Sequence, residues 1–325
     1  MGGPDVRILT PVLVGPTAVG KTAVAIALAA LTPVTVISAD ARQVYRGLDI
    51  GTAKPDRALR STVPHVGLDL VDPGERYSAG RFARDAAGWL DEIRAVGRLP
   101  LVVGGTGFYI RALADGLFRE PPLDPGRRDR LRGWTDRLPG PDLVRWAGRL
   151  DARFQVGGRQ RAARAVEVAL LTGQALSWWQ REARETGAMR PWYIHLTLPR
   201  ETLRSRIAAR VDDMLARGLV DEVRGVLARG VPRDAPGLDG VGYREVVAML
   251  VDGGRQPTAE LREAITAATR RYAKRQETWF RNQLRREPSA VSRQPDHVWT
   301  LDASDDPKSL AAHIHERWHA VSADG

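Results

Sequence analysis

Residues 15–22 read GPTAVGKT, which matches the spacing Gly-x-x-x-x-Gly-Lys-Thr. In such a loop successive backbone N–H groups face phosphate oxygens, and the helix that follows adds its positive end. Gly15 and Gly20 allow the tight curvature, Pro16, Thr17, Ala18 and Val19 supply the backbone between them, and Lys21 adds a point charge. The Thr22 hydroxyl is suited to hold Mg²⁺, the one cofactor expected. Hydrolysis of a triphosphate also needs a metal-holding Asp at the end of a neighbouring strand. The obvious strand, LPLVV, runs instead into Gly104-Gly105-Thr106, and a guanine-reading N/T-K-x-D is missing, since Asn282 is the only asparagine. The loop therefore grips a diphosphate without the usual means of activating water on a γ-phosphate. A diphosphate that departs as a leaving group suits this set better than one spent as fuel.

Two further residues stand where they could act beside the loop. VTVISAD ends in Asp40, whose carboxylate could hold Mg²⁺, serve as a general base, or only cap a turn. Thr106 follows two glycines at a strand end, where its hydroxyl either enters the same cleft or caps the next helix.

The elements that must position these residues read as an α/β core. RILTPVLVG, VTVISAD and LPLVVGGTG are apolar runs that stop at the loop, at Asp40 and at the glycines, and helical stretches over Thr22–Leu31 and Ala79–Val96 separate them. Strand and helix in alternation predict a parallel sheet covered by helices. The character changes near Pro121, and residues 121–191 read as a basic helical insertion whose Trp134, Trp146, Trp178 and Trp179 are expected in its core. WYIHLTLPR returns to the sheet, Arg200–Arg229 and Ala259–Arg286 read as long helices, and HVWTLDA reads as an edge strand. The division expected is thus a core of residues 1–120 and 192–325 around an insertion of 121–191.

Composition bounds the rest. The chain of 325 residues carries 49 Lys+Arg against 39 Asp+Glu, a net charge of +10 that favours a polyanionic partner. With no cysteine, disulfides, thiolate zinc sites and cysteine nucleophiles are excluded. AVAIALAAL is too short to span a membrane, and MGGPDVRILT has no secretion-signal pattern, so a cytoplasmic protein without membrane contact is expected. Nothing suggests a large self-complementary apolar face, so a monomer is expected.

The stretch DARQVYRGLDIGTAKP, with GPTAVGKT before it and LVVGGTGFY after it, resembles the bacterial tRNA dimethylallyltransferases. PHVGLDLVDPGERYSAGRF, QRAARAVEV, DGVGYRE and AKRQETWFR match in the same order, so the resemblance covers about residues 8–285. One departure is Ala41, where the family pattern carries a serine hydroxyl. The fold implied is a P-loop NTPase-like parallel sheet flanked by helices, with the inserted helical domain. The activity implied is transfer of a dimethylallyl group from dimethylallyl diphosphate to the exocyclic amine of the adenine 3′ of the anticodon. The partner implied is a tRNA anticodon stem-loop.

The resemblance also assigns residues. Adenine's amine is a poor nucleophile that needs a proton acceptor, for which Asp40 is the choice, and by resemblance Thr106 binds the region between prenyl donor and RNA. Asp40, Ala41, Arg42 and Gln43 contact the target base, with the Gln43 amide suited to an adenine edge. Arg210 in RIAARVDDML matches a diphosphate contact, and Lys54 in GTAKP touches RNA or diphosphate. Arg128, Gln160, Arg161 and Arg164 of the insertion fall on the anticodon arm. So do Gly242, Tyr243 and Arg244, and also Lys274, Arg275, Gln276, Trp279 and Arg281. Two rival readings are a small-molecule kinase that uses the same loop and a non-catalytic RNA binder. The strand ending in Gly-Gly-Thr argues against the first, and the intact Lys21, Thr22, Asp40 and Thr106 argue against the second.

Overall fold

The computed structural model describes residues 7–118, 123–155, 157–183, 185–254, 256–284 and 298–323. Up to Ala114 and from Ala188 onward they form one compact unit, and those from Asp115 to Gly187 form a second.

The first unit opens with β1 (Leu9–Val14), α1 (Lys21–Ala29) and β2 (Val34–Ser38). It continues through α2 (Arg57–Thr62), a two-residue β3 (His65–Val66), α3 (Ala79–Ala95), β4 (Leu99–Gly104) and α4 (Gly107–Asp115). The second unit holds α5 (Pro125–Thr135), α6 (Gly140–Leu150), α7 (Arg159–Thr172) and α8 (Leu176–Glu182). The chain returns through β5 (Arg190–Thr197), α9 (Arg200–Ala216), α10 (Leu219–Ala228), α11 (Tyr243–Val251), α12 (Ala259–Leu284), β6 (Val298–Asp302) and α13 (Pro307–Ala323).

The six strands lie in the order β3-β2-β4-β1-β5-β6, and every pair is parallel. All five residues of β2 and five of the six in β1 are buried, which explains why both read as unbroken apolar runs. One core cluster joins Leu13, Val36, Leu101 and Ile194 of the sheet to Val24 and Leu28 of α1 and to Leu310 and Ile314 of α13. Trp192 is fully buried in it, with Trp299 and Trp318 at centroid distances of 6.3 and 5.6 Å. α3, capped at Ser78, packs on β2 and β4 through its buried stripe of Phe82, Ala86, Leu90 and Ile93.

Several expectations are refined. The stretch from Arg200 to Arg229 is two helices, because Gly218 adopts φ 92° and starts α10 on a new axis. His65 belongs to β3, and its Nδ1 lies 2.6 Å from the Val63 carbonyl. Pro121 and Pro122, like Arg285 and Arg286, lie outside the described residues. The tryptophans do not form the core of the second unit. That core is Leu143, Ala147, Ala162, Ala165 and Val166, where α6 and α7 approach closely through small side chains. Trp134 and Trp146 make an edge-on pair that stays 37% and 40% exposed.

Candidate active site

Three connections meet at the carboxyl edge of the sheet: the loop after β1, the segment after β2 and the turn after β4. β1 lies between β4 and β5, at the point where the chain turns from winding one way to winding the other. Ligands of open α/β sheets bind at such points. Close contact there depends on Gly104, where a Cβ would sit 2.2 Å from the Ala39 carbonyl oxygen. With no side chain at Gly104, the Thr106 amide donates to Ala39 O at 3.2 Å, and the Thr106 hydroxyl accepts from the Ala41 amide at 3.0 Å. Asp40 and Thr106 are thereby brought together from two strands.

The phosphate loop has the strained backbone its sequence implies: Gly15, Ala18 and Gly20 all have positive φ, at 149°, 64° and 112°. Lys21 donates to Gly15 O at 2.9 Å and to Pro16 O at 2.8 Å. Burial brings the Lys21 pKa down to about 8, while Asp40 pulls it upward and Arg210 adds to the depression. Arg210 is itself lowered by burial, against the opposing charges of Asp40 and Asp213. Lys21, Arg210 and Asp40 thus share one electrostatic environment, two cations and one carboxylate around the loop.

Lys21, Thr22, Ser38, Asp40 and Gln43 line a small cavity of about 60 Å³. The Thr22 hydroxyl and Asp40 carboxylate offer it hard oxygen donors, which fits Mg²⁺ held by one or two protein groups together with substrate oxygens and water. Among the described residues no cluster of three His, Cys, Asp or Glu could hold a metal by itself.

Arg42 donates its amide to Asp40 Oδ1 at 2.8 Å, and its guanidinium donates to Pro236 O at 2.7 Å. Gln43 has both ends of its amide engaged: Oε1 accepts from Ser38 Oγ at 2.8 Å, and Nε2 donates to Thr52 O at 3.2 Å. Oε1 keeps a second lone pair, but donating to an adenine edge would require Nε2 to give up its bond to Thr52 O or to Ala53 O. Tyr272 of α12, which the sequence reading did not single out, reaches the same corner. Its phenol is raised to about 12 by burial, with Asp40 adding to the rise and Arg42 and the Thr106 hydroxyl opposing it. Its position was hidden because α12 lies more than 150 residues from Thr106 along the chain.

Three residues expected at RNA or diphosphate are engaged inside the protein. Lys54, expected at RNA or diphosphate, is turned inward, and its buried ammonium gives its three protons to Tyr45 O, Asp49 and Asp69. Tyr243 is 1% exposed, and its hydroxyl donates to Glu222, which also collects the Asp49, Ile50 and Gly51 amides. Gln276 is buried and bridges Thr17 and Gly105.

The remaining basic residues are at the surface. Lys274, Arg275 and Arg281 are exposed on α12, with the Arg275 guanidinium 5.7 Å from the Tyr272 ring centre, while Trp279 is half-buried beside Phe280. Gly242 takes φ 94° and gives its amide to Glu245, which also holds the exposed Arg244. In the second unit Gln160 and Arg161 are exposed, whereas Arg128 and Arg164 are drawn onto the buried Glu167 together with Arg132.

Comparison with known proteins gives this geometry a context. The chain matches the family model for IPP transferase over residues 43–283 and that for isopentenyl transferase over residues 9–64. It is 45% identical to a tRNA dimethylallyltransferase of Alkalilimnicola ehrlichii over 285 residues, covering 83% of this chain and 87% of that one. The crystal structure of a full-length tRNA isopentenylpyrophosphate transferase from Bacillus halodurans superposes with a TM-score of 0.68 at 33% identity, over 98% of this chain and 97% of the other. A eukaryotic dimethylallyltransferase acting on tRNA shares the fold at a TM-score of 0.73 and 24% identity, over 98% and 79% of the two chains.

Proposed function

Because the chain belongs to the IPP transferase family, we propose that it transfers the dimethylallyl group of dimethylallyl diphosphate to N6 of the adenine 3′ of the anticodon in tRNA. The observation that carries this reading is the meeting of Lys21 and Arg210 with Asp40 around one loop at the sheet edge. Two cations suit a departing diphosphate, and one carboxylate suits a proton leaving the acceptor.

In this reading the loop amides, Lys21 and Arg210 bind the diphosphate and stabilise the charge that grows on its bridging oxygen. Mg²⁺, for which the Thr22 hydroxyl is the protein donor, would add Lewis-acid neutralisation of the same leaving group. The carbon–oxygen bond to diphosphate breaks as adenine N6 bonds to the allylic carbon. N6 is a weak nucleophile because its lone pair is delocalised into the ring. Asp40 relieves this by accepting the N6 proton: Oδ1 is held by the Arg42 amide, which leaves Oδ2 for the proton. Pyrophosphate leaves intact. The Thr106 hydroxyl, fixed on the Ala41 amide, sits beside Asp40 to orient the acceptor. A loop nucleotide is cheap to unstack, so the target base can enter such a cleft.

Incubation with labelled dimethylallyl diphosphate and unmodified tRNA, followed by nucleoside mass analysis, tests the reading. The expected product is N6-isopentenyladenosine at the position 3′ of the anticodon. Asp40→Asn should lower kcat by about 10²–10⁴ while tRNA affinity holds. Turnover of ATP to ADP with no prenylated nucleoside would overturn it.

A further inference from the structure

α12 presents one stripe, at positions 273, 276 and 279, to the two loops of the site. Residues spaced by three share a helix face. Ala273 packs with Leu203 and Ile207 in a cluster that also takes up Ala18, the left-handed residue of the phosphate loop. Gln276 accepts from the Thr17 amide at 2.8 Å and donates to Gly105 O at 2.9 Å. Trp279 fills the space over Gly107, where a Cβ would come within 2.1 Å of its ring. The helix therefore holds two consecutive residues of the phosphate loop and both glycines flanking Thr106.

We propose that Gln276 is a positioning residue of the diphosphate site: it ties the phosphate loop to the Gly105 turn and so fixes the diphosphate relative to Thr106, and it is not an RNA contact. The role rests on the reading of the loop as the prenyl-diphosphate site. Three features support it. The side chain is only 6% exposed, so an incoming RNA cannot use it without unpacking α12. Its two bonds reach 259 and 171 residues along the chain, from helix to both loops. And a loop with Ala18 at φ 64° stays in that conformation only where its surroundings over-determine it. The Thr17 amide is also diverted from phosphate by this bond, so Gln276 selects which loop amides face the ligand.

The test uses the full chain and inorganic pyrophosphate as probe. Gln276→Met keeps the bulk and removes both hydrogen bonds. Calorimetry should show pyrophosphate affinity reduced about tenfold, with one buried amide and one carbonyl left unsatisfied. Affinity for unmodified tRNA should stay within about twofold, and KM for the prenyl donor should rise more than kcat falls. Should Gln276→Met fail to fold, Gly105→Ala attacks the same bridge, since its Cβ would lie 2.2 Å from Gln276 Nε2, and it should weaken pyrophosphate binding in the same way. Unchanged pyrophosphate affinity, or a loss confined to tRNA or shared equally with it, would overturn the proposal. A wild-type chain that binds pyrophosphate but prenylates no tRNA would sink the function proposed above and leave the pyrophosphate comparison decisive for Gln276. A wild-type chain that ignores pyrophosphate would overturn both.

Discussion

Lys21 sets the expected pH dependence. Burial leaves its amine with a pKa near 8, so in the free protein it loses its charge as pH rises past that value. The first contact to the diphosphate then weakens. We expect kcat/KM for the prenyl donor to fall above about pH 8, approaching tenfold per unit. The kcat at saturating donor should hold to higher pH, because the bound diphosphate anion raises the amine again. Rates measured from pH 6.5 to 9.5 check this, and a flat kcat/KM across that range would contradict it. The placement of Gly15, Lys21, Asp40 and Thr106 was legible because it depends on local spacing at strand ends. The inward placement of Lys54, Tyr243 and Gln276 was not legible, because residue type gives a side chain no direction. Lys54 is folded onto Asp49 and Asp69, and Tyr243 onto Glu222, 21 residues upstream.

Among the elements, the helices of the second unit are organised by one buried acid. Burial alone would raise the Glu167 carboxyl, but the Arg132 hydrogen bond and the charges of Arg164, Arg128 and Arg132 hold it below the usual range. A carboxyl depressed in the folded state contributes stability above its unfolded pKa and loses it as pH falls through the folded value. We therefore expect acid to loosen this unit below about pH 4. Glu167→Gln at neutral pH should cost about 1–2 kcal/mol, less than for a fully buried pair because the guanidinium groups keep contact with water. It should also weaken tRNA binding, since Arg128 and Arg164 lose the group that aligns them. Thermal unfolding and a tRNA titration read the two effects, and wild-type values for both would refute them. The pattern of charges in QRAARAVEV revealed a basic helix face but not that Glu167 gathers three arginines from two helices. The sheet was readable because parallel strands are apolar on both faces. The break at Gly218 and the short β3 were not, since a helix continues across a glycine or stops at it according to packing that the local pattern does not record.

For the whole molecule the net charge of +10 is a poor guide until the paired charges are set aside. Arg262 is locked to Asp212, Arg46 to Asp72 and Arg60 to Asp69, so these cations contribute little to an outside polyanion. Arg161 on α7 and Lys274 and Arg275 on α12 are exposed on the segments that the family resemblance assigns to the anticodon arm. If those residues meet phosphates, each releases condensed counterions from the RNA, and the logarithm of affinity falls linearly with the logarithm of salt concentration. Arg161→Ala and Lys274→Ala should each reduce that slope by roughly 0.7–0.9, the value for one phosphate contact. Arg262→Ala should leave it unchanged, because its partner is Asp212 and not RNA. Titrations of unmodified tRNA between about 50 and 200 mM salt distinguish the cases. Equal slopes for all three variants would mean that affinity follows the bulk charge, and that the exposed residues of α7 and α12 do not touch the backbone.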